Sequence, residues 1–357
     1  MFEADTYIWQ GKFVAWTSRC STEKLASPIM LSFLIFCMIG VIGCSGVTST
    51  GPPSIPPTVE SAVAPKVVPH IDKWGIYALD MTTEEVELLY SSMNKTAFLN
   101  LNKSGDTLAF SQQFGDDNNE NEEICTLKVF SGDFTRLTNN NLMDVYPVWS
   151  PDGTRIAFLS WRDQDLDIFV MEQNGSNQRE LYDSGDHDAD IDWVGERIVF
   201  TSESRIWIMQ DSGANPVPVT DPPKAGLWGQ ANLPFGDYDP RLSPDGNRIA
   251  FERLEDDTSP HGNYNIYVIN TDGSEEIRLT NTGYSQGIIS WSHKADKMVF
   301  IVGAIGDAGK YDIYLVDADG SNIVNITPTY FPPDFLCHTP VFSIDDSKIF
   351  FIGEWYE

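Results

Sequence analysis

Alternating aspartates are the residues of this sequence that could most directly do chemistry. They lie in the run Asp-His-Asp-Ala-Asp-Ile-Asp, and in an extended strand Asp188, Asp190 and Asp192 would point to one side. Carboxylate oxygens are the ligands that Ca²⁺ prefers, so one interpretation is a calcium site, although no cofactor is required. The other interpretation is ion pairing, because clustered carboxylates need a counterion and Arg241, two residues after Asp239, carries one.

Two histidines suggest an alternative, catalytic function. His187 lies within the aspartate run and His338 lies near the C-terminal end, and histidine exchanges protons readily near neutral pH. A metal-dependent, lyase-like enzyme using His187, Asp190 and His338 is therefore the second hypothesis. The histidines show no metal-ligand spacing, so a non-catalytic binding protein is the first hypothesis and the question of catalysis stays open.

A repeated strand–turn–strand unit would position these side chains. The chain repeats a first strand and turn six times, at residues 100–106, 148–153, 192–196, 241–246, 290–296 and 341–346. A second strand follows each, and five units continue into a third and a fourth strand. Self-similarity at this spacing is typical of propellers, in which each unit forms one blade.

The sixth unit is completed from the other end of the chain. Residues 338–353 supply only its first two strands, whereas residues 75–91 match a third and a fourth strand. Pairing these segments would close the ring and remove the open sheet edges. We therefore predict an all-β, six-bladed propeller of four-stranded antiparallel blades over residues 71–357.

One apolar position recurs at the end of each first strand. A large side chain there would pack one blade against the next, and we interpret these residues as core. They are Leu101, Trp149, Trp193, Leu242, Trp291 and Phe342.

The repeats resemble those of a known family. PVWSPDGTRIAFLS, DPRLSPDGNRIAFER, DIFVMEQNG, NIYVINTDG and DIYLVDADG are similar to the repeat of TolB-like propellers, a WD-like class. The resemblance covers residues 72–357 and implies the propeller fold. It implies less about function, because one propeller fold serves many purposes.

Long loops predict where a partner would bind. In a propeller with this connectivity, the loops between second and third strands and between blades share one face, which we call the long-loop face. Long loops on a rigid scaffold commonly carry binding sites. This face is predicted to bind an envelope protein or glycan through Trp161, Trp228, Phe235, Tyr330, Phe331 and Phe335.

The N-terminal region predicts export and a lipid anchor. Residues 1–43 form a leader that ends in an apolar run, and the sequence Val-Ile-Gly-Cys resembles the bacterial lipobox, which implies lipidation at Cys44. Residues 44–70, rich in Pro, Ser and Thr, would act as a tether. We expect a lipid-anchored protein of the cell envelope, facing the periplasm or the surface.

Charge and cysteine content limit the classes of partner. The formal net charge is −29, which repels phosphate and argues against nucleic acid as a partner. Contact with the membrane is then expected through the lipid alone, and the chain is expected to be a monomer. Outside the leader and the lipobox only Cys125 and Cys337 remain, and the sequence does not decide whether they pair.

Overall fold

The computed structural model describes residues 65–115, 121–162, 165–231, 233–256, 262–281, 284–303 and 311–356. These residues form 24 strands and no helix. Accordingly, no helix that could cross a membrane occurs in this part of the chain. The predicted leader, Cys44 and the predicted tether up to residue 64 lie outside the described residues.

The strands form six four-stranded antiparallel sheets, and each sheet is one blade of the propeller. The chain enters through β1 (Trp74–Asp80) and β2 (Val86–Ser92). Blade 1 then consists of β3 (Thr96–Leu101), β4 (Thr107–Gln113), β5 (Glu122–Lys128) and β6 (Phe134–Arg136). Blade 2 consists of β7 (Asp144–Trp149), β8 (Arg155–Ser160), β9 (Asp167–Glu172) and β10 (Arg179–Tyr182).

The remaining blades follow in chain order around the ring. Blade 3 consists of β11 (Ala189–Val194), β12 (Arg197–Ser202), β13 (Arg205–Gln210) and β14 (Val217–Pro218). Blade 4 consists of β15 (Gly236–Leu242), β16 (Arg248–Asp256), β17 (Asn263–Asn270) and β18 (Ile277–Arg278). Blade 5 consists of β19 (Ser285–Trp291), β20 (Lys297–Gly303), β21 (Tyr311–Asp317) and β22 (Val324–Asn325).

Blade 6 joins the two ends of the folded region. It combines β23 (Phe335–Phe342) and β24 (Lys348–Trp355) with β1 and β2, in the order β2-β1-β24-β23. The strand β1 pairs along its whole length with β24, with Ile76 opposite Ile352 and Ala78 opposite Phe350. The predicted six-bladed ring, and its closure by the N-terminal strands, are therefore confirmed.

Each second strand places one phenylalanine in the core. The six residues occupy the fourth position of the second-strand repeat, and each has at most 1% of its surface exposed. Burial of such a side chain contributes roughly 1.5–3 kcal/mol relative to leaving it in water. The residues are Phe110, Phe158, Phe200, Phe251, Phe300 and Phe351.

Tight turns join first and second strands, as their sequences predict. In the turn after β7, the Gly153 amide donates to the Ser150 carbonyl at 2.8 Å, and Gly153 has a φ of +73°. The Asp152 carboxylate accepts hydrogen bonds from the Ser150 hydroxyl at 2.6 Å and the Thr154 amide at 3.0 Å. These bonds, of which the first is the strongest, lower the pKa of Asp152 to about 2. We call the surface that carries these turns the tight-turn face.

Every first strand contains a β-bulge that was not predicted from the sequence. The pairing register with the second strand shifts in the middle of each first strand, which is the signature of a β-bulge. At each shift, one non-glycine residue is left-handed, with φ between 42° and 60°. These residues are Phe98, Tyr146, Asp190, Asp239, Ile288 and Thr339.

Candidate functional site

The aspartates of blade 3 do not share one side of their strand. Because β11 is bulged between Ala189 and Asp192, the strict alternation assumed from the sequence fails, and that prediction is wrong. The Asp188 carboxylate turns back within its own blade, where its Oδ2 accepts a hydrogen bond from the Ser184 amide at 3.1 Å. Asp190 instead reaches blade 4, where its Oδ2 accepts from the Asp239 amide at 3.2 Å.

Asp192 also bridges to blade 4, at a different position. Its Oδ2 accepts a hydrogen bond from the Leu242 amide at 2.8 Å. The three aspartates thus accept hydrogen bonds from three different backbone amides. In these positions their carboxylates do not form a calcium coordination set. Within the described ranges, no group of three or more His, Cys, Asp or Glu side chains could hold a metal ion.

Asp188 is a buried carboxyl with an unusual pKa. The side chain is fully buried, and its Oδ1 has no hydrogen-bond partner among the described residues. Desolvation raises its pKa to about 7, against the opposing effect of hydrogen bonds from Ser184 and Ser202. The carboxyl therefore takes up or releases its proton near neutral pH.

Arg241, which the sequence suggested as the counterion of the blade 3 aspartates, pairs with Asp239 of its own strand. The Arg241 Nη2 atom lies 2.9 Å from Asp239 Oδ1 and forms a buried ion pair with it. The Tyr146 hydroxyl, 93 residues away from Asp239 in the chain, hydrogen-bonds to both partners. Burial alone would lower the pKa of Arg241, but the Asp239 carboxylate and the Tyr146 hydroxyl raise it above its usual value, so the guanidinium stays charged.

The two candidate catalytic histidines lie in different surroundings. His187 is exposed on the loop before β11, where its Nδ1 accepts a hydrogen bond from the Leu166 amide at 3.2 Å and its ring lies 5.1 Å from that of Trp161. His338 lies on β23, with its Nε2 3.3 Å from Glu354 Oε2. Blades 3 and 6 are three positions apart in a ring of six, so the two histidines belong to opposite sides of the propeller.

The six aromatic residues predicted for the long-loop face differ in exposure. Trp228 is 59% exposed, and the neighbouring Leu227 is 60% exposed. Trp161 and Phe235 are half-buried, and each packs against a buried apolar cluster. Trp228 is thus the one whose side chain stands free of the core.

The other three aromatics pack together over blade 6. Phe335 is only 5% exposed, and its ring centroid lies 5.2 Å from that of Phe331. Phe331 also contacts Tyr330, whose hydroxyl donates to the Glu84 carbonyl at 2.7 Å. Tyr330 and Phe331 remain half-buried, so this group combines core packing with a limited exposed surface.

A cavity of about 430 Å³ occupies the tight-turn end of the central channel. Turn residues such as Lys103, Pro151 and His293 line its mouth, so it opens towards the tight-turn face. Its floor is formed by five of the six left-handed bulge residues together with Arg241. All six residues interpreted as core in the sequence, the three tryptophans included, line the cavity.

Sequence reasoning missed this cavity. It recognised the recurring apolar position and correctly predicted burial, since Trp149, Trp193 and Trp291 are at most 7% exposed and only Leu101 is half-buried. It did not recognise that a ring of equivalent positions around one axis leaves a central space. The sixfold recurrence was the available signal.

Comparison with known proteins agrees with this architecture. A structure described as TolB from Agrobacterium tumefaciens has a TM-score of 0.61 at 16% identity, covering 80% of this chain and 99% of that chain. TolB from Acinetobacter baumannii has a TM-score of 0.55 at 16% identity, covering 71% of this chain and 63% of that one. The fold is a TolB-type propeller.

Other matches add less. A chain from a nidogen–laminin complex has a TM-score of 0.52 at 10% identity, covering 80% of this chain and 100% of that chain. An uncharacterised protein of Agrobacterium fabrum is 24% identical over an alignment of 183 positions. The alignment covers 48% of this chain and 59% of that relative's length. No family model matches the sequence.

Proposed function

We propose that this protein is a non-catalytic binding module of the bacterial cell envelope that recognises a partner through its long-loop face. The exposed pair Leu227 and Trp228, which we call the 227–228 tip, carries the proposal. Tryptophan is enriched at the energetic centres of interfaces, and an exposed Leu–Trp pair on a loop is costly to leave in water unless something covers it.

The loop beneath the tip is held in place by its own backbone. The Gly226 amide donates to the Phe235 carbonyl at 3.0 Å, and the Phe235 amide donates to the Leu227 carbonyl at 2.9 Å. The Lys224 ammonium lies 4.5 Å from the centre of the Phe235 ring. A partner would therefore bind a loop that is already ordered, which lowers the entropic cost of association.

Charge favours a partner with basic groups around an apolar contact. The long-loop face carries exposed carboxylates, among them Asp183 and Asp186, and the whole chain has a net charge of −29. Such a field attracts cationic surfaces and speeds their association. A protein that offers an apolar pocket with a basic rim fits this surface better than an uncharged glycan does.

Location in the envelope rests on two further observations. The TolB-type fold is shared with the TolB structures, and the leader with its lipobox-like end indicates export and lipidation at Cys44. A tether of residues 44–70 would let the propeller reach a partner at a distance from the membrane. The lipid would be the chain's contact with the membrane.

The test is a double variant, Leu227→Ala with Trp228→Ala. Partner captured from an envelope extract is identified by mass spectrometry, purified and titrated against the unaltered protein and the variant. Loss of two exposed apolar anchors should weaken binding at least tenfold, because truncating one central tryptophan commonly costs about 2 kcal/mol or more. The melting temperature should change little, since neither side chain is part of the core.

A matched control comes from the outer edge of blade 4. Ile277 is 55% exposed but lies on β18, away from the long-loop face, so Ile277→Ala should leave partner affinity unchanged. Equal affinity of the tip variant and the unaltered protein would refute the proposal. If no protein is recovered from the extract and soluble glycans compete for binding, the partner is a glycan and not a protein.

A further inference from the structure

The cavity at the tight-turn end of the channel is a second, separate site. Its volume of about 430 Å³ lies within the range of small-molecule binding sites. It opens on the face opposite to the 227–228 tip, so a ligand there would not compete directly with a partner on the long-loop face. Binding in this cavity is therefore independent of the proposed function.

The carboxylates that line this cavity outnumber their buried counterion. Asp192 and Asp239 both line it, and Arg241 is the cation beside them. The Arg241 guanidinium is bonded to Asp239 and to the Tyr146 hydroxyl. It is near enough to favour the charged form of Asp192, but Asp192 forms no ion pair in the described part of the chain.

The walls of the cavity suit an apolar cation. Trp149, Trp193 and Trp291 line it, and near its floor the rings of Phe98 and Tyr146 lie 4.5 Å apart. The π faces of aromatic rings attract cations, and tryptophan does so most strongly. Two of these indoles already make cation–π contacts within the protein. The guanidinium of Arg155 lies 4.8 Å from the Trp193 ring centre, and that of Arg248 lies 4.9 Å from the Trp291 ring centre.

We infer that this cavity binds a small organic cation, with its ammonium group at Asp192 and its apolar body against the aromatic walls. A carboxylate or phosphate ligand would meet the charges of Asp192 and Asp239. Among the described residues that line the cavity, the buried cation Arg241 is already bonded and Lys103 lies exposed at the mouth. An uncharged ligand would gain the apolar contacts but no electrostatic attraction. Charge is thus the property that should decide which ligands bind.

Proton release gives this binding a distinct signature. Burial raises the pKa of Asp192, against the lowering effect of Arg241 and of the Leu242 amide. An ammonium ion bound at the carboxylate favours its ionised form, so binding should expel the proton that the free protein retains at low pH. Calorimetry in two buffers of different ionisation enthalpy measures that release directly.

The experiment compares three probes that differ in their polar group: 2-phenylethylammonium, 2-phenylethanol and 3-phenylpropanoate. Tryptophan fluorescence and calorimetry follow each titration against the full-length protein. We expect the ammonium probe to bind at least tenfold more tightly than the alcohol, and the carboxylate not to bind. This series uses the unaltered protein, so it does not depend on any variant folding correctly.

Asp192→Asn then tests the residue. An amide oxygen can still accept the Leu242 hydrogen bond, so the fold is retained while the negative charge is lost. Affinity for the ammonium probe should fall at least tenfold, and affinity for the alcohol should not. The control is Asp345→Asn, which removes an exposed carboxylate of the tight-turn face outside the cavity and should change neither affinity. Equal binding of all three probes, no binding of any, or an Asp192→Asn variant that binds like the unaltered protein would overturn the inference.

Discussion

Replacing Asp188 with asparagine should make the stability of the protein less dependent on pH. Burial raises the pKa of this carboxyl from 3.8 to about 7 in the folded protein. The unfolded chain loses the proton first as the pH rises, while the folded protein still holds it. Stability therefore falls between pH 3.8 and about 7 and stays at the lower value above that window.

The size of the effect follows from the two pKa values. One pKa unit corresponds to about 1.4 kcal/mol, so the full loss across the window is about 4 kcal/mol. Between pH 5.5 and pH 8, linkage gives about half of it, or about 2 kcal/mol. Asparagine cannot ionise, and its side-chain oxygen can still accept the Ser184 amide, so Asp188→Asn should escape this loss.

Urea denaturation at pH 5.5 and pH 8 measures the free energy of unfolding of both proteins. From pH 5.5 to pH 8, the free energy of unfolding of Asp188→Asn should rise by about 2 kcal/mol relative to that of the unaltered protein. Asp186→Asn serves as the control, since it places an amide at an exposed position of the same loop. A difference between variant and unaltered protein that is equal at both pH values would show that the buried carboxyl does not titrate as described.

Two further variants test the channel and the ring closure. Arg241→Met removes the cation bonded to Asp239 and should lower the free energy of unfolding by about 3–5 kcal/mol. Adding Asp239→Asn should recover much of this loss, and no recovery in the double variant would argue against the buried ion pair. Ile76→Ala should cost about 2–5 kcal/mol in the same denaturation assay, because this fully buried side chain lies on the strand that closes blade 6. Ile71→Ala, at a position that is 71% exposed, should change stability by no more than about 0.5 kcal/mol, and an equal loss in both isoleucine variants would contradict the role of β1 in closure.

The local features of the fold could be predicted because each one is repeated. Turn sequences such as Ser150 to Gly153 specify a hairpin wherever they occur, and the second-strand phenylalanines such as Phe158 specify the buried face. Six copies reduce the chance that any one signal misleads. The split of one blade between 75–91 and 338–353 also follows, because an incomplete unit at each end can satisfy its strand edges only by pairing with the other.

The candidate site could be predicted only in part. The position of Arg241 and Asp239 at the channel was predictable, although the sequence assigned Arg241 to the aspartates of blade 3 and not to Asp239. The role of Tyr146 was not, because it lies on another blade and meets them only across the channel. The common side assigned to Asp188 and Asp192 failed, because a bulge at Asp190 inserts one residue and reverses the alternation beyond it.

The sequence by itself therefore determined the number of blades, the strands in each and the way in which the ring closes, since these depend on periodicity and turn chemistry within short segments. Only the tertiary structure decided which carboxylates are buried, where the bulges turn the first strands, and that the recurring tryptophans surround a cavity. The physical reason is distance. Burial, counterions and central space arise between residues from different blades, and no local pattern of the chain encodes how far the ring holds them apart.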